Sequence, residues 1–441
     1  MNKDTIVAIA TGNTKGAISI IRISGDDAFS IVNSIIDKDI TDSKGYTIER
    51  ATIRDDKDII DDVLINVFRA PKSYTGEDVI ELNCHGGLYV TRKVLTLLLS
   101  KGARLARNGE FTERAYLNDK LDLAEAEAIN DLINASNEMM AKSAIHSLKG
   151  STKKLLDPLE EDLTQIIANI EVNIDYPEYD DVEVLTKETV LPSVNRWISD
   201  IEKVIEDAKT STSIREGIDT VILGKPNVGK SSLLNTLLQE DKAIVTDIAG
   251  TTRDLVEGRV NVNGVPLNLV DTAGIRESDD VVERIGIERS LLALDKAELA
   301  IVVLDASREL DEEDELILDK TKDKERIVVF NKGDLEAVHE GIIISCANND
   351  IEALKEEIVK KYNEALVLGN SDTLNNERQI GLAMQALNAM KDAKKSLEEG
   401  FELDLVTIDL NKCWMSLKEI TGEAHKDNLL DEIFSRFCLG K

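Results

Sequence analysis

A glycine-rich octapeptide in the middle of the chain has the residue types and spacing of a phosphate-binding loop. It reads GKPNVGKS at residues 224–231, follows an apolar strand pattern at 220–223 and leads into a helix pattern at 232–238. Glycines allow the backbone to wrap around phosphates, and the N–H groups at the start of the helix face the anions. We expect Lys230 to reach the β- and γ-phosphates and the hydroxyl of Ser231 to bind Mg²⁺. The predicted contacts of this loop are Asn227, Val228, Gly229, Lys230, Ser231 and Ser232.

Three further motifs stand at the ends of strand patterns, where a nucleotide site needs them. DTAG at 271–274 offers a carboxylate that holds Mg²⁺ through water and a glycine N–H that senses the γ-phosphate. NKGD at 331–334 ends in an aspartate that can accept hydrogen bonds from the guanine N1–H and 2-amino groups, which adenine cannot offer. SCA at 345–347, a weak signal by itself, can present a backbone N–H to the guanine O6. Together they predict a GTPase rather than an ATPase, with contacts from Asp271, Thr272, Ala273, Gly274, Asn331, Lys332, Asp334, Ser345, Cys346 and Ala347.

Hydrolysis at such a site needs a group that orients the attacking water. The residue after DTAG is Ile275, whose apolar side chain cannot take the place of the glutamine that many related enzymes use. Glu283 is a candidate for this role. From the pattern alone, a solvated carboxylate on an acidic helix is the favoured alternative for Glu283.

A positive charge is also needed against the charge that develops between the β- and γ-phosphates. Arg253 and Arg276 are candidates, and the amide of Asn227 is another solution, because it can coordinate a monovalent cation together with loop carbonyls. The loop TDIAGTTRD at 246–254 can supply those carbonyls, and Thr252 is the expected second Mg²⁺ ligand. The predicted nucleotide contacts of this loop are Thr246, Asp247, Ile248, Ala249, Gly250, Thr251 and Thr252.

The composition of the 441-residue chain limits its partners and its location. A net charge of −31 argues against general binding of phosphate backbones, although a local basic patch or a second protein can still bring a nucleic acid to the chain. No apolar run approaches the roughly 18 residues that span a bilayer, so no membrane partner is predicted. Neither a secretory signal nor a transit peptide is visible, which predicts a cytoplasmic protein with free thiols at its four cysteines.

The first of three composition zones covers residues 1–118. Strand patterns such as 17–23 and 79–82 are broken by glycine and asparagine, and a helical stretch follows at 88–99. This zone is predicted to form an α+β domain.

The other zones alternate helical and mixed patterns. Residues 119–215 form a long amphipathic helical pattern punctuated by Pro158, Pro177 and Pro192. Residues 216–369 alternate short strands with helices, which is typical of a parallel sheet, and the helical pattern resumes over 370–441. We therefore predict a multidomain α/β and α+β protein, in which a P-loop GTPase domain is inserted into a helical domain formed by the central and C-terminal helices.

Outside the nucleotide motifs, seven short segments resemble one family, the tRNA modification GTPases known as MnmE or TrmE. The resemblance covers the whole chain, and the C-terminal ending is its most discriminating part. The segments are RISG at 22–25, YTGED at 74–78, CHGG at 84–87, GEFTERA at 109–115, LNDKLDL at 117–123, IDYPE at 174–178 and FCLGK at 437–441.

This resemblance implies a homodimer, a folate cofactor, a flavoprotein partner and a tRNA substrate. The N-terminal domains are expected to form a homodimer and to bind a one-carbon tetrahydrofolate, in its 5-formyl or 5,10-methylene form. With an FAD-dependent partner of the MnmG (GidA) type, in a heterotetramer, the protein would add a carboxymethylaminomethyl-type group to C5 of the wobble uridine of certain tRNAs. The residues that match the family's folate contacts are Arg22, Glu81, Lys120 and Lys441.

The resemblance also assigns two roles at the nucleotide site. It maps the water-organising glutamate to Glu283, which reverses the preference stated above, and it implies a GTPase that dimerises and is stimulated by K⁺. The mapped K⁺ ligands are Asn227, Thr246, Ile248 and Thr251. One departure from the family is the segment TGNTKG at 11–16, where relatives often carry a proline- and glycine-rich turn.

The C-terminal tail allows two interpretations. A frayed end would make Cys438 incidental. Alternatively, the apolar residues Leu430, Ile433 and Phe434 indicate a packed helix that delivers the tail to a defined place. Lys441 could then pair with the acidic end of a folate, and the thiol of Cys438 would serve tRNA modification as a nucleophile or an acid/base.

Two rival functions fit parts of the pattern. A ribosome-assembly switch would share the P-loop segment, but it predicts a basic RNA-binding module, and the rest of the chain is not visibly basic. A folate-dependent aminomethyltransferase with a GTPase insertion would bind folate without modifying tRNA. The wobble-uridine content of tRNA from cells that lack the protein distinguishes all three functions.

Overall fold

The computed structural model describes most of the chain. The described residues are 4–175, 187–240, 256–270, 294–295, 297–369, 372–424, 430, 433–435, 437–438 and 440. The chain divides into two compact units. The first consists of Met1–Ile133, Ser147–Glu178 and Asn388–Lys441, and the second of Asn134–His146 and Tyr179–Leu387. Within the described part of the chain, no helix has the length and apolar character required to cross a membrane.

The helices and strands of the described residues have the following bounds. The strands are β1 (Ile6–Ile9), β2 (Ile18–Ser24), β3 (Thr47–Asp55), β4 (Asp58–Phe68), β5 (Val79–His85), β6 (Arg104–Leu105), β7 (Ile218–Leu223), β8 (Val256–Val262), β9 (Val265–Val270), β10 (Leu299–Asp305), β11 (Arg326–Asn331) and β12 (Ile342–Ile343). The helices are α1 (Ala28–Asn33), α2 (Leu88–Ser100), α3 (Glu110–Leu117), α4 (Leu123–Asn134), α5 (Glu138–Leu148), α6 (Ser151–Asp175), α7 (Lys187–Glu216), α8 (Lys230–Glu240), α9 (Glu312–Lys320), α10 (Glu352–Gly369), α11 (Glu377–Glu399) and α12 (Leu403–Thr421). Pro158 and Pro192 lie inside α6 and α7, so neither of them separates two helices.

The first unit contains a six-stranded sheet in the order β3-β4-β5-β2-β1-β6. Its neighbouring strands are antiparallel except for the parallel pair β1 and β6. Alternate side chains of each strand point to opposite faces, and one face, with Ile21 and Leu82, packs against α1 and α2 in a closed core. On the other face, Ile18, Ile48 and Leu64 are more than half exposed.

Central and C-terminal helices pack together in this first unit. Helix α6 lies against α12, although more than 200 residues separate them in sequence. The amphipathic pattern explains this contact, because each helix must bury one apolar stripe. The predicted fold class, with an α+β part, a helical part and a P-loop α/β part, is confirmed.

The second unit contains a six-stranded sheet in the order β12-β11-β10-β7-β9-β8. All neighbouring strands are parallel except β8 and β9. Strands β9 and β10 lie on either side of β7, so the order of the strands reverses at β7. Open α/β sheets bind ligands at this point, outside the carboxyl ends of the strands. Residues 224–231 follow β7 directly and therefore occupy that position.

A buried arginine holds the chain where it enters the sheet of the second unit. Arg215, at the end of α7, donates to the carbonyl oxygens of Ser211 at 3.1 Å and Leu374 at 3.2 Å. It also donates to Ser143 Oγ of α5 and to Asn375 Oδ1. Arg215 thus joins the segment before β7 to the segment after α10, and these contacts hold both ends of the GTPase part in place.

Candidate functional sites

The phosphate-binding loop has a shape that requires glycine at two positions. Gly224 has φ +152° and Gly229 has φ +101°, both in the region that L side chains rarely adopt. A Cβ at Gly224 would overlap the carbonyl oxygen of Val303, and one at Gly229 would overlap Nδ2 of Asn331. The backbone therefore approaches its neighbours too closely for any side chain, and its N–H groups face the space at the start of α8.

The lysine of this loop lies inside the ring that the backbone forms. The ammonium of Lys230 donates to the carbonyl oxygens of Gly224 and Lys225, both at 2.7 Å. Burial lowers the pKa of Lys230, because desolvation disfavours its charged form. A phosphate bound in this loop would offer the ammonium a stronger, charged acceptor.

A single asparagine side chain joins three of the predicted motifs. Asn331 Nδ2 donates to the carbonyl oxygen of Val228 at 2.8 Å, and its Oδ1 accepts from the backbone N–H of Cys346 at 3.1 Å. Asp334 accepts from Ser345 Oγ at 2.7 Å. The structure therefore brings the loop at 224–231 together with NKGD and SCA, as the order of the motifs predicts.

The remaining described residues of the nucleotide motifs lie around this junction. Asn227 is exposed in a left-handed conformation with φ +62°, and Ser231 and Ser232 are exposed in the first turn of α8. Lys332, with φ +68°, pairs with Asp305 at 2.6 Å. Ala347 is exposed in a single 3₁₀ turn after Ser345.

Asp305 belongs to none of the predicted motifs but lies beside one of them. Burial by itself raises the pKa of Asp305, but hydrogen bonds from Lys332 and Ser307 outweigh this effect and lower it to about 2. This ionised carboxylate holds Lys332 beside the base-reading motif. Its position in the sequence could have identified it, because Asp305 ends an otherwise apolar parallel strand. That strand ends at the same edge of the sheet as β7 and β11, which end at Leu223 and Asn331.

Several predicted site residues lie outside the described residues, and no geometry can be assigned to them. They are Thr246, Asp247, Ile248, Ala249, Gly250, Thr251, Thr252, Arg253, Asp271, Thr272, Ala273, Gly274, Ile275, Arg276, Glu283 and Lys441.

A second cluster of predicted residues lies on the sheet of the first unit. Arg22 on β2 is directly opposite Glu81 on β5, and its Nε and Nη2 both lie 2.9 Å from Glu81 Oε1. The guanidinium lies 5.4 Å from the ring centre of Tyr74 and 5.6 Å from that of Phe111. Its Nη1 donates to the carbonyl oxygen of Gly440 at 3.4 Å. We call Arg22, Glu81, Tyr74, Phe111 and Gly440 the Arg22 corner.

The C-terminal tail is docked beside this corner. Phe437 is buried and packs against Phe434, and the backbone N–H of Gly109 donates to the carbonyl oxygen of Cys438 at 3.5 Å. Gly440 has φ +91°, and a Cβ there would overlap the carbonyl oxygen of Ile9 on β1. These contacts favour the interpretation that the tail has a defined position over the interpretation that it is a frayed end.

Cysteine exposure separates Cys438 from the other three cysteines. Cys84, Cys346 and Cys413 are buried, whereas Cys438 is exposed. Burial raises the pKa of the Cys84 thiol to about 12 and that of Cys346 to about 11, and it also raises the pKa of Cys413. The three buried thiols are therefore poor nucleophiles near neutral pH.

Lys120, another of the predicted folate residues, has a different partner. Lys120 donates to the carbonyl oxygen of Pro71 at 3.0 Å. The Cβ of Asn118, two residues before it, lies about 3.0 Å from where a Cβ of Gly76 would be, so the 71–76 segment passes close to the end of α3. The described contacts therefore place Lys120 beside this segment and Arg22 beside the tail.

Comparison with known proteins finds relatives over nearly the whole length of the chain. The family described as "GTP-binding protein TrmE N-terminus" matches residues 5–120, and the "MnmE helical domain" matches residues 123–438. The tRNA modification GTPase MnmE of Lactococcus lactis subsp. lactis is 47% identical over 448 aligned residues, which cover 99% of this chain and 98% of that protein. The protein of the same description from Bacillus thuringiensis (strain Al Hakam) is 46% identical over 458 aligned residues and 100% of both chains.

Among solved structures, that of Aquifex aeolicus Era bound to GDP·AlF₄⁻ is 28% identical to the matched part of this chain. It has a TM-score of 0.26 and covers 40% of this chain and 67% of that chain.

The P-loop, the base-reading motif and the parallel sheet define a GTP-hydrolysing enzyme. The full-length relatives and the two family matches show that the chain belongs to the MnmE family of tRNA modification GTPases. The family and the enzyme class predicted from the sequence are confirmed.

Proposed function

We propose that this protein, with an FAD-dependent partner of the MnmG (GidA) type, adds a carboxymethylaminomethyl-type group to C5 of the wobble uridine of certain tRNAs. Residues 216–369 hydrolyse GTP, residues 1–118 bind a one-carbon tetrahydrofolate and dimerise, and residues 119–215 and 370–441 form the helical domain. The docked tail is the observation that carries this proposal, because it brings the carbonyl group of Gly440 to Arg22 and carries the exposed thiol of Cys438 two residues before.

At the nucleotide site, the described residues fit GTP. Gly224 and Gly229 form a cradle that a Cβ would fill, and Lys230 is held within reach of the β- and γ-phosphates. Asp334 accepts the two guanine donors, while Asn331 holds the base-reading motif against the loop. The proposed Mg²⁺ ligands are Ser231 and Thr252, and the ion would neutralise charge on the phosphates.

Activation of water and stabilisation of the transition state are proposed for residues of the motifs that follow the P-loop in sequence. Glu283 orients the water that attacks the γ-phosphate, because Ile275 has no polar atom with which to do so. Asn227 holds K⁺ with Thr246, Ile248 and Thr251, and the exposed amide and left-handed backbone of Asn227 support this role. A bound cation would supply the positive charge that an arginine supplies in other GTPases, and ordering of the loop at 246–251 would let two GTPase domains pair face to face in the transition state.

The Arg22 corner has the chemistry to bind a folate. Its guanidinium is held by Glu81 and lies near the rings of Tyr74 and Phe111, so a flat ring system finds both apolar surface and hydrogen-bonding groups there. Glu81 can accept from a pterin amino group, and Lys120 and Lys441 can pair with the acidic end of the ligand. A bound 5-formyl or 5,10-methylene tetrahydrofolate would supply the one-carbon unit. Cys438 is the proposed nucleophile or acid/base.

The proposed homodimer uses the uncovered face of the sheet in the first unit. Ile18 on β2, Ile48 on β3 and Leu64 on β4 point to the face opposite the α1 and α2 core and are more than half exposed. A patch of this kind marks an interface more often than a solvated surface. We further propose that the dimer forms a heterotetramer with the flavoprotein and works in the cytoplasm.

Analysis of wobble nucleosides tests this function. We expect tRNA from cells that lack the protein to have lost the C5-substituted wobble uridine, and the wild-type gene to restore it. Cys438→Ser should hydrolyse GTP normally but fail to restore the modified nucleoside. An unchanged nucleoside profile in the deletion strain rejects the function, while restoration by Cys438→Ser rejects the role of the thiol.

A further inference from the structure

Helix α12 carries two apolar stripes where a surface helix needs one. The first stripe contains Val406, Leu410, Cys413, Leu417 and Ile420, all fully buried, on a helix that packs against α6. Its spacing of three and four residues is that of a single helix face. This stripe accounts for the attachment of α12 to its own unit.

The second stripe of α12 is open to solvent. Leu405, Ile408 and Met415 are 47, 53 and 49% exposed, and Phe401, just before the helix, is 51% exposed. Residues 401, 405, 408, 412 and 415 follow one another at steps of four and three. At 100° per residue, this row lies about 140° around the helix from the buried one. The two stripes therefore lie on different faces of α12.

Single exposed apolar residues are ordinary, but a continuous row on one helix face indicates an interaction surface. Lys412 interrupts the row, and its ammonium is held by Asp409 at 2.8 Å. The long methylene stem of Lys412 can therefore remain against the apolar row. We call Phe401, Leu405, Ile408, Lys412 and Met415 the α12 outer stripe.

The charges beside the α12 outer stripe are mainly acidic. Glu402, Asp404, Asp409 and Glu419 lie in or beside it, against the two cations Lys412 and Lys418, and Lys418 is neutralised by Glu160 at 2.6 Å. A second copy of this surface would bring carboxylates against carboxylates, and nucleic acids and anionic membranes would be repelled as well. An apolar seam with an acidic rim is complementary to an amphipathic helix whose rim carries Lys or Arg.

We propose that the α12 outer stripe is the docking surface for a basic amphipathic helix of a protein partner. The average step of 3.5 residues along the stripe is the spacing at which side chains of two helices interlock. This inference rests on the function proposed above, from which the partner is the MnmG-type flavoprotein.

The test compares, in the full-length protein, two helices in which an exposed leucine or isoleucine is replaced by lysine. Ile408→Lys and Leu405→Lys place a cation in the seam, where it repels a basic partner. Leu316→Lys on α9 is the matched control, because Leu316 is 52% exposed on a helix outside the stripe. Affinity for the purified cognate flavoprotein is measured by titration calorimetry, with GTP turnover and thermal unfolding as checks on folding.

We expect the two α12 variants to bind the flavoprotein at least tenfold more weakly, with GTP turnover within twofold of wild type, and the α9 control to bind normally. Equal affinity of all variants overturns the docking surface. A sedimentation coefficient that changes in the α12 variants without flavoprotein also overturns it, because the occupant is then a second copy. If the wild-type protein itself does not bind the flavoprotein, the partner assigned in the proposed function is wrong.

Discussion

The nucleotide site and the Arg22 corner are assembled over different distances along the chain. Around the P-loop, the longest-range described hydrogen bond between predicted residues joins Val228 to Asn331, 103 residues apart, and each segment carries its own motif. In the corner, Arg22 meets Gly440 across 418 residues. The first site follows from a parallel sheet, whose strands all end at one edge. The second requires the helical region to fold back before the tail can reach β1 and β2.

This difference implies that the two sites can be damaged separately. A change in the loop at 224–231 alters contacts inside the second unit, and a change at Arg22 alters contacts inside the first. Effects confined to one activity support the division, and effects on both contradict it.

The largest expected effect concerns the monovalent cation. Replacing NaCl by KCl at equal ionic strength should raise GTP turnover on the order of 10³-fold, because K⁺ supplies charge that the site otherwise lacks. Asn227→Ala should remove this dependence, whereas folate binding to the first unit should be the same in both salts. Equal turnover in the two salts would contradict the proposed cation site.

Asp334→Asn should weaken GTP binding by about 10²-fold or more, because the acceptor for two guanine donors is lost. Binding of xanthosine triphosphate should improve, since its base presents a complementary acceptor. Fluorescence titration with both nucleotides measures this change in specificity. Unchanged GTP affinity would show that residues 331–334 do not read the base.

Arg22→Met should weaken binding of 5-formyl tetrahydrofolate by roughly 10- to 100-fold, because a charge-assisted contact is worth about 1.5–3 kcal/mol. Methionine keeps the apolar contacts with Tyr74 and Phe111, so the fold should remain intact. Arg92→Met is the matched control, because Arg92 is an exposed arginine on α2, the helix layer that packs on the other face of the same sheet. Equilibrium dialysis of the folate and steady-state GTP turnover are the two readouts. A parallel loss of GTP turnover in Arg22→Met would remove the distinction between the sites.

The smallest expected effect compares the first turns of two helices. Asp122 and Glu125 bond reciprocally at the start of α4, and burial raises the pKa of Asp122 from 3.8 to about 6. The folded state therefore binds this proton more tightly, and stability decreases as pH rises from about 4 to about 6. Asp122→Asn should avoid this loss and gain about 1 kcal/mol above pH 6, because asparagine still caps the helix.

At the start of α9, the pKa of the aspartate is shifted in the opposite direction, and the pH dependence of stability is opposite as well. The hydrogen bond from Lys225 lowers the pKa of Asp311 to about 2, so its contribution is present above pH 4 and is lost as pH falls towards 2. Asp311→Asn should therefore decrease stability at pH 7. Thermal unfolding of both variants between pH 4.5 and 8 measures the difference, and shifts of the same sign in the two variants would refute the assignment of these charges.

The element predictions succeeded where apolar residues mark both faces of a strand. Strands β7, β10 and β11 are central and buried, and the apolar runs at 220–223, 299–304 and 327–330 predict them within two residues. Strand β3 was missed, because its exposed positions carry charges such as Arg50 and Arg54 and its apolar residues are few. Pairing with β4 makes it a strand, and that pairing has no signal in the segment itself.

The sequence by itself determined the chemistry of the nucleotide site, because a phosphate loop, a base-reading aspartate and their strands are local patterns with local geometry. It also carried the family resemblance. The tertiary structure decided that the tail reaches the Arg22 corner, that Asp305 holds Lys332, and that α12 has a second apolar face open to solvent. These features depend on which distant segments meet, and that choice is made by the packing of the whole unit.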